Sequence, residues 1–208
     1  VRPAIRQWSL VLSKAFSSSP VVSFDDDILI LVNEQDDAVG YLSKDAAHDG
    51  DGVLHRAFSV FLFNERGEVL LQQRAEQKRL WPGFWSNSCC SHPKKGEEIT
   101  TAAHCRIQQE LGVKADLQYL YKFVYQARFH DLGSEHELCW VYIGKCDQPV
   151  APNALEVADH RWLAVDKLSA EIESSPDRFT PWMKQEWHQL TTRYRADCNS
   201  VCGVEFFG

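Results

Sequence analysis

The sequence predicts a single mixed α/β domain (α+β in layering), with helices packed on the faces of mixed β-sheets. Three observations lead there. Strand-like segments dominate and two or three helical ones interrupt them; no repeat and no Pro/Gly-rich linker divides the chain; and 208 residues are close to the roughly 150 expected of one domain.

The elements follow in order. DDDILILVNEQ reads as a β-rich apolar run, and VGYLSKDAAH as a short extended segment with a polar end. AFSVFLFNERGEVLLQQRA carries the strongest hairpin signal, strands over Phe58–Phe63 and Val69–Gln73 flanking the turn Asn64-Glu65-Arg66-Gly67. Pro82 and Gly83 punctuate a tryptophan-rich loop. Glu97 to Leu111 lacks Pro and Gly, starts with acids and stops at Gly112, which predicts a helix. Strands are expected over Gln118–Gln126, Glu137–Gly144 and Asp159–Leu163, and helices over Val165–Ser174 and Pro181–Ala196, with Pro181 in a tolerated first-turn position. The expected organisation is a poorly ordered extension over 1–22, a domain over 23–197 and a tail over 198–208, in which Cys198 and Cys202 lie on a mobile end or a surface patch.

Composition narrows the function classes. With 44% hydrophobic and 25% charged residues, the chain is neither collagenous, disordered nor a disulfide miniprotein. A net charge of −7 argues against a general nucleic-acid partner, although a few basic side chains in a cleft can still hold a phosphate. No apolar run reaches the roughly 18 residues of a membrane helix. Seven cysteines without a regular framework suggest a reducing compartment, hence a cytoplasmic location. The first twenty residues carry two Arg and a Lys and no acid, but the run WSLVL is too short for a secretory core.

Three short patterns carry chemistry. His48 and His55 flank DGDG, Cys90 and His92 are two apart in SNSCCSHP, and Glu135 and Glu137 are two apart in GSEHELCW. In extended segments, residues two apart face the same way. Taken singly, each histidine is an ordinary surface or core residue and the Glu pair a solvated strand face. Taken together, three imidazoles and two carboxylates suit a divalent transition metal such as Zn²⁺ or Mn²⁺.

AAHDGDGVLHRAFS, LWPGFWSNSCCSHP, ELGV, GSEHELCW and FTPWM occur in this order from about Asp27 to about Arg195. The set resembles the type I isopentenyl-diphosphate isomerases, which have a Nudix-like fold. A Nudix box laid over Ser91–Val113 is degenerate: Glu97, Ile107, Glu110, Gly112 and Val113 fit, whereas Ser91, Cys105, Arg106 and Gln109 do not. A Nudix diphosphohydrolase, supported by Glu97, Glu110 and Gly112, and a metal-stabilised binding module are the alternative readings.

The resemblance implies interconversion of isopentenyl and dimethylallyl diphosphate in isoprenoid biosynthesis, through protonation and deprotonation by way of a carbocation-like state. It implies Cys90 and Glu137 as the proton-transfer groups, with Cys89 a rival thiol, Tyr125 as a partner of the catalytic Glu and Trp182 as the aromatic face for the cation. It assigns His48, His55, His92, Glu135 and Glu137 to one Mn²⁺ or Zn²⁺, and Glu110 with the Cys90 backbone carbonyl to Mg²⁺. It matches Lys44, Arg74, Lys78 and Arg106 to the diphosphate. The implied partner is an allylic or homoallylic diphosphate, with neither nucleic acid nor membrane, and the chain is expected to be a monomer or weak dimer.

Overall fold

β3 (His55–Phe63) and β8 (Gly133–Lys145) run parallel, in register from His55 opposite Glu137 to Phe63 opposite Lys145. They form the spine of the computed structural model, which describes residues 20–203 and 205. Side chains alternate along β3: Ala57, Phe61 and Phe63 point to one face, Phe58, Val60 and Leu62 to the other, and all six are buried. A strand apolar on both sides must be covered on both sides. On the first face lie α3 (Val165–Ser174), α4 (Pro181–Thr192) and α5 (Arg195–Cys202), which bring Leu168, Met183, Trp187, Leu190 and Cys198 to the core.

On the second face lies α2 (Ile99–Leu111), whose Ile99, Ala102, Ala103, Ile107 and Leu111 recur at helical spacing. Its ends are set by chemistry in the sequence. The Glu98 carboxylate accepts from Thr100 N and Thr101 N, which pairs negative charge with the helix N-terminus. Gly112 closes the helix in the left-handed region at φ 70°, where a Cβ would stand 2.9 Å from Ala151 O.

The remaining strands extend this spine. β7 (Leu117–Phe129) pairs antiparallel with β8, and β1 (Ile28–Val32) links β3 to β2 (Ala38–Ser43). β6 (Cys89–Ser91) lies antiparallel to β3 with Cys90 opposite Ser59. β4 (Glu68–Arg74) pairs with β9 (Val157–Ala164) and with β5 (Trp85–Ser86). The result is the expected mixed-strand α/β domain with helices on its faces, and no helix among the described residues is long and apolar enough to cross a membrane.

Four local expectations differ. The Asn64 turn forms, its Oδ1 accepting from Arg66 N and Glu68 N, but β3 and β4 pair only through Phe63 and Val69 before diverging to β8 and β9. The segment expected to remain extended ends in a helical turn, α1 (Lys44–Ala47), stacked against β1 and β2. The helix expected over Pro181–Ala196 breaks at Arg193 and Tyr194, where Tyr194 stacks on Tyr121 at 4.7 Å. That break turns α5 back onto the core, so Cys198 is fully buried among apolar residues rather than lying in a mobile tail or surface patch. With α1 and α5 the described residues hold five helices rather than two or three. The extension over 1–22 falls outside the described residues up to 19, and Pro20 to Val22 lie against the domain through Asn153 and Arg106.

One core residue is an acid. Glu186 on α4 is fully buried, with Cys139 Sγ 3.6 Å from Oε1 and no hydrogen-bond partner for Oε2. Burial pushes its carboxyl up from 4.5 to about 7. The folded protein therefore keeps a proton that the unfolded chain releases near pH 4.5, so stability falls as pH rises from about 4.5 to about 7. The contribution is about 3 kcal/mol at 1.36 kcal/mol per unit. Glu186→Gln should remove it: in thermal melts from pH 4 to 8, the variant is expected to gain stability over the wild type through this window and to stay ahead above it.

Candidate active site

Three elements of the sheet carry one cluster in register. His55 opens β3 opposite Glu137 of β8, Glu137 is in turn opposite Tyr125 of β7, and Glu135 is opposite Ala127. His92 follows β6, and His48 caps α1. Gly133 brings α1 close: at φ 143° its missing Cβ would sit 2.3 Å from His48 O, and the adjacent Ser134 N donates to that same carbonyl. The ligand atoms of His48, His55, His92, Glu135 and Glu137 lie within 4.8 Å of one another.

The orientation of these groups is fixed from behind. His48 Nδ1 is bonded to Lys44 O at 2.6 Å and His55 Nδ1 to Val53 O at 2.7 Å, so both Nε2 atoms face the centre. His48 Nε2 is 2.7 Å from Glu135 Oε2 and His92 Nε2 is 2.7 Å from Glu137 Oε1. His55 Nε2 is buried without a hydrogen bond. Burial holds His55 down at about 4, leaving its imidazole neutral. Burial and the adjacent Glu135 charge push Glu137 well above the ordinary carboxylate range, whereas His48 holds Glu135 well below it against the same burial. Two buried carboxylates this close ionise together only beside a cation. Converging imidazole nitrogens, the orphaned buried His55 Nε2 and a nitrogen-oxygen donor set together fit a divalent transition metal.

A cavity of about 170 Å³ opens beside this cluster. Cys90 lines it, while Cys89 points into the α2 core, which separates the two thiols. Cys90 Sγ is 3.7 Å from Ser86 Oγ, and burial pushes the thiol up to about 12. Tyr125 OH donates to Glu137 Oε2 at 2.7 Å. Trp182 is held by a hydrogen bond from Nε1 to Ser86 Oγ and packs edge-to-face on Trp81 at 5.3 Å. Glu137, Tyr125, Cys90 and Trp182 thus line one cavity.

The four expected diphosphate cations line the same cavity. Lys44 Nζ reaches Ser23 Oγ at 2.5 Å, Lys78 bonds the Glu156 carboxylate, and Arg106 reaches Glu110 at 2.5 Å and Val22 O at 2.6 Å. Arg74 differs in its engagement: it donates to Leu80 O and Trp81 O, and its guanidinium lies 5.2 Å above the Trp182 ring. Glu110 is buried on α2, beside the Cys90 segment, whereas Glu97 is exposed and accepts from Lys94 N. The surviving Nudix-box acids are therefore apart, and the His/Glu group is the one metal-suited cluster found among the described residues.

Glu156 and Arg79 went unrecognised in the sequence. Arg79 ties the segment after β4 to Asp45, Asp49 and Leu132 O, thereby joining α1 to the β7–β8 turn. Both residues come from loops, where one charge among many carries no periodic signal; only the fold shows what they touch.

Comparison with known proteins gives the family and the fold. Residues 53–183 match the NUDIX domain family. Isopentenyl-diphosphate Delta-isomerase 1 of Photorhabdus laumondii is 43% identical over 164 residues, covering 78% of this chain and 93% of that protein. Isopentenyl-diphosphate Delta-isomerase of Serratia proteamaculans is 41% identical over 157 residues, covering 76% and 87%. The crystal structure of a Deinococcus radiodurans protein superimposes with a TM-score of 0.59 at 25% identity, over 72% of this chain and 90% of the other.

The donor geometry gives a direct expectation for metal content. Protein purified without chelator should carry about one transition-metal ion per chain by elemental analysis, and His55→Ala should weaken its retention about tenfold or more. Equal metal content in wild type and His55→Ala would contradict the cluster as a metal site.

Proposed function

The chain belongs to the isopentenyl-diphosphate Delta-isomerase family, built on the NUDIX fold, and on that premise we propose how its residues perform the reaction. The enzyme interconverts isopentenyl and dimethylallyl diphosphate in isoprenoid biosynthesis. The observation that carries the mechanism is the shared cavity, with Cys90 and the Glu137–Tyr125 pair both facing the space beside the cations.

Moving the double bond requires a proton added at C4 and another removed from C2. An alkene is a weak base, so both transfers need positioned groups. Cys90 Sγ serves one carbon and Glu137 the other, with Tyr125 OH bonded to Glu137 Oε2 to orient it and relay its proton. Because the reaction is reversible, the group that donates in one direction accepts in the other. The Trp182 face stabilises the positive charge between the two transfers, by about 2 kcal/mol or more in a desolvated site. Leu80 and Trp182 line the cavity and Trp81 backs Trp182, and these buried apolar groups protect a carbocation-like state from water.

His48, His55, His92, Glu135 and Glu137 would hold one Mn²⁺ or Zn²⁺, and Glu110 with the Cys90 carbonyl would help hold Mg²⁺ against the diphosphate. Bound there, the first metal would supply charge that fixes and tunes Glu137, and the second would neutralise phosphate oxygens. Lys44, Lys78 and Arg106 bind the diphosphate, Arg offering a fork and Lys a point charge. Arg74 joins them from above Trp182. The six cysteines with described side chains are free thiols, which supports a reducing, cytoplasmic setting for Cys90.

Turnover tests this assignment. With Mg²⁺ present, the wild type should form dimethylallyl diphosphate from isopentenyl diphosphate, and in deuterated water should introduce deuterium at C4. Cys90→Ala and Glu137→Gln should each lower kcat by roughly 10²–10⁴-fold, with melts showing a folded protein. A fully active Cys90→Ala variant would remove the thiol from the mechanism.

A further inference from the structure

We propose that Glu156 is a positioning residue for the diphosphate-binding cations, a carboxylate bridge that sets Lys78 and Arg106 in the relative geometry the anion requires. The proposal deepens the isomerase reading and rests on its diphosphate substrate.

Glu156 lies in the loop between β8 and β9, lines the active-site cavity and is 4% exposed. Its backbone is pinned on two sides. Glu156 N donates to Asn153 O, and Asn153 N donates to Glu110 O at the end of α2. On the other side, Ala75 N just after β4 donates to Glu156 O at 3.1 Å. The side chain is thus presented from a fixed loop rather than from a mobile arm.

Its carboxylate joins two cations that no covalent or strand contact brings into register. Oε2 accepts from Lys78 Nζ and lies 3.7 Å from Arg106 Nη2, the nitrogen that also reaches Glu110. Lys78 comes from the loop after β4, and Arg106 from α2. Lys44 adds a third positive charge to the same cavity; burial and Lys78 disfavour its charge, and Glu156 favours it. Like charges crowded in a desolvated space repel strongly. Without the carboxylate, Lys78 has four rotatable bonds and no anchor, and ordering it would draw on substrate binding energy.

Two opposed effects follow from removing Glu156. Loss of a negative charge favours an anion, whereas loss of cation order disfavours it. Ordering dominates in the proposal because the carboxylate touches the cations directly and holds them before the substrate arrives.

The test compares the wild type with Glu156→Gln in turnover and in calorimetric titration with inorganic diphosphate and Mg²⁺. Glu156→Gln should raise KM for isopentenyl diphosphate about tenfold while kcat stays within about twofold, the signature of lost uniform binding. Inorganic diphosphate should bind weaker by a similar factor, and Glu156→Asp should restore most of the loss. In a double-mutant cycle with Lys78→Ala, the combined variant should be less impaired than the product of the single changes, because both act on one contact. If Glu156→Gln alone does not fold, the double variant is compared with Lys78→Ala directly: matching KM and diphosphate affinity support the proposal, and a further large loss overturns it. Unchanged or tighter diphosphate binding, a fall in kcat at constant KM, or fully multiplicative effects would overturn the proposal. Absence of turnover in a wild type that binds diphosphate would count against the isomerase reading, while the titrations would still decide the role of Glu156.

Discussion

The parallel pairing of β3 with β8 is the constraint on which the rest depends. It sets His55 opposite Glu137, and the antiparallel pairing of β7 then sets Tyr125 opposite the same carboxylate. A slip of one residue would reverse every side chain on β8. Glu135 and Glu137 would then face the α2 side, and Leu138 and Cys139 would exchange faces. β3 is apolar on both faces, so its own pattern does not fix this register; the carboxylates of β8, which must meet the imidazoles rather than the apolar α2 core, do.

Two electrostatic problems adjoin in the space this register creates. On one side, carboxylates converge with neutral imidazoles and call for a cation. On the other, Lys44, Lys78 and Arg106 converge and call for an anion, part of that need being met by Glu110 and Glu156. Between them lie Cys90 and Trp182 in an apolar wall. In the proposed assignment, this arrangement separates strong anchoring of a charged headgroup from proton transfer on a hydrocarbon tail. Binding energy from the headgroup can then position a substrate end that offers the protein no polar handle.

Much of this was legible in the sequence. The i, i+2 pairs Cys90/His92 and Glu135/Glu137 announced their shared faces because extended backbone has period two, and the stop at Gly112 was visible because only a left-handed cap is needed there. Local signals failed where tertiary packing overrode them. Asn64 specifies a tight turn correctly, yet the turn cannot reveal that β3 and β4 part after one pair, since their other partners lie tens of residues away. The break at Tyr194 has no Pro or Gly to mark it; stacking on Tyr121 and burial of Cys198 reward the bend. The pairing of Glu156 with Lys78 spans a similar distance and shows no spacing rule.

The degenerate Nudix box makes physical sense once the charges are placed. A hydrolase needs several helix carboxylates gathered around metals that activate water. Here Arg106 occupies a box position otherwise filled by Glu and turns its guanidinium onto the surviving Glu110, so that helix face now presents a compensated ion pair. Two carboxylate donors lie instead on β8, facing three histidines from other elements, and one of them is bonded to Tyr125, which lines the cavity. In the proposed assignment, moving the metal-suited cluster from helix to strand moves it from the diphosphate toward the carbon skeleton. A catalyst so arranged has little leverage on a phosphorus–oxygen bond and direct reach to carbon–hydrogen bonds, which is the difference between hydrolysis and double-bond migration on one scaffold.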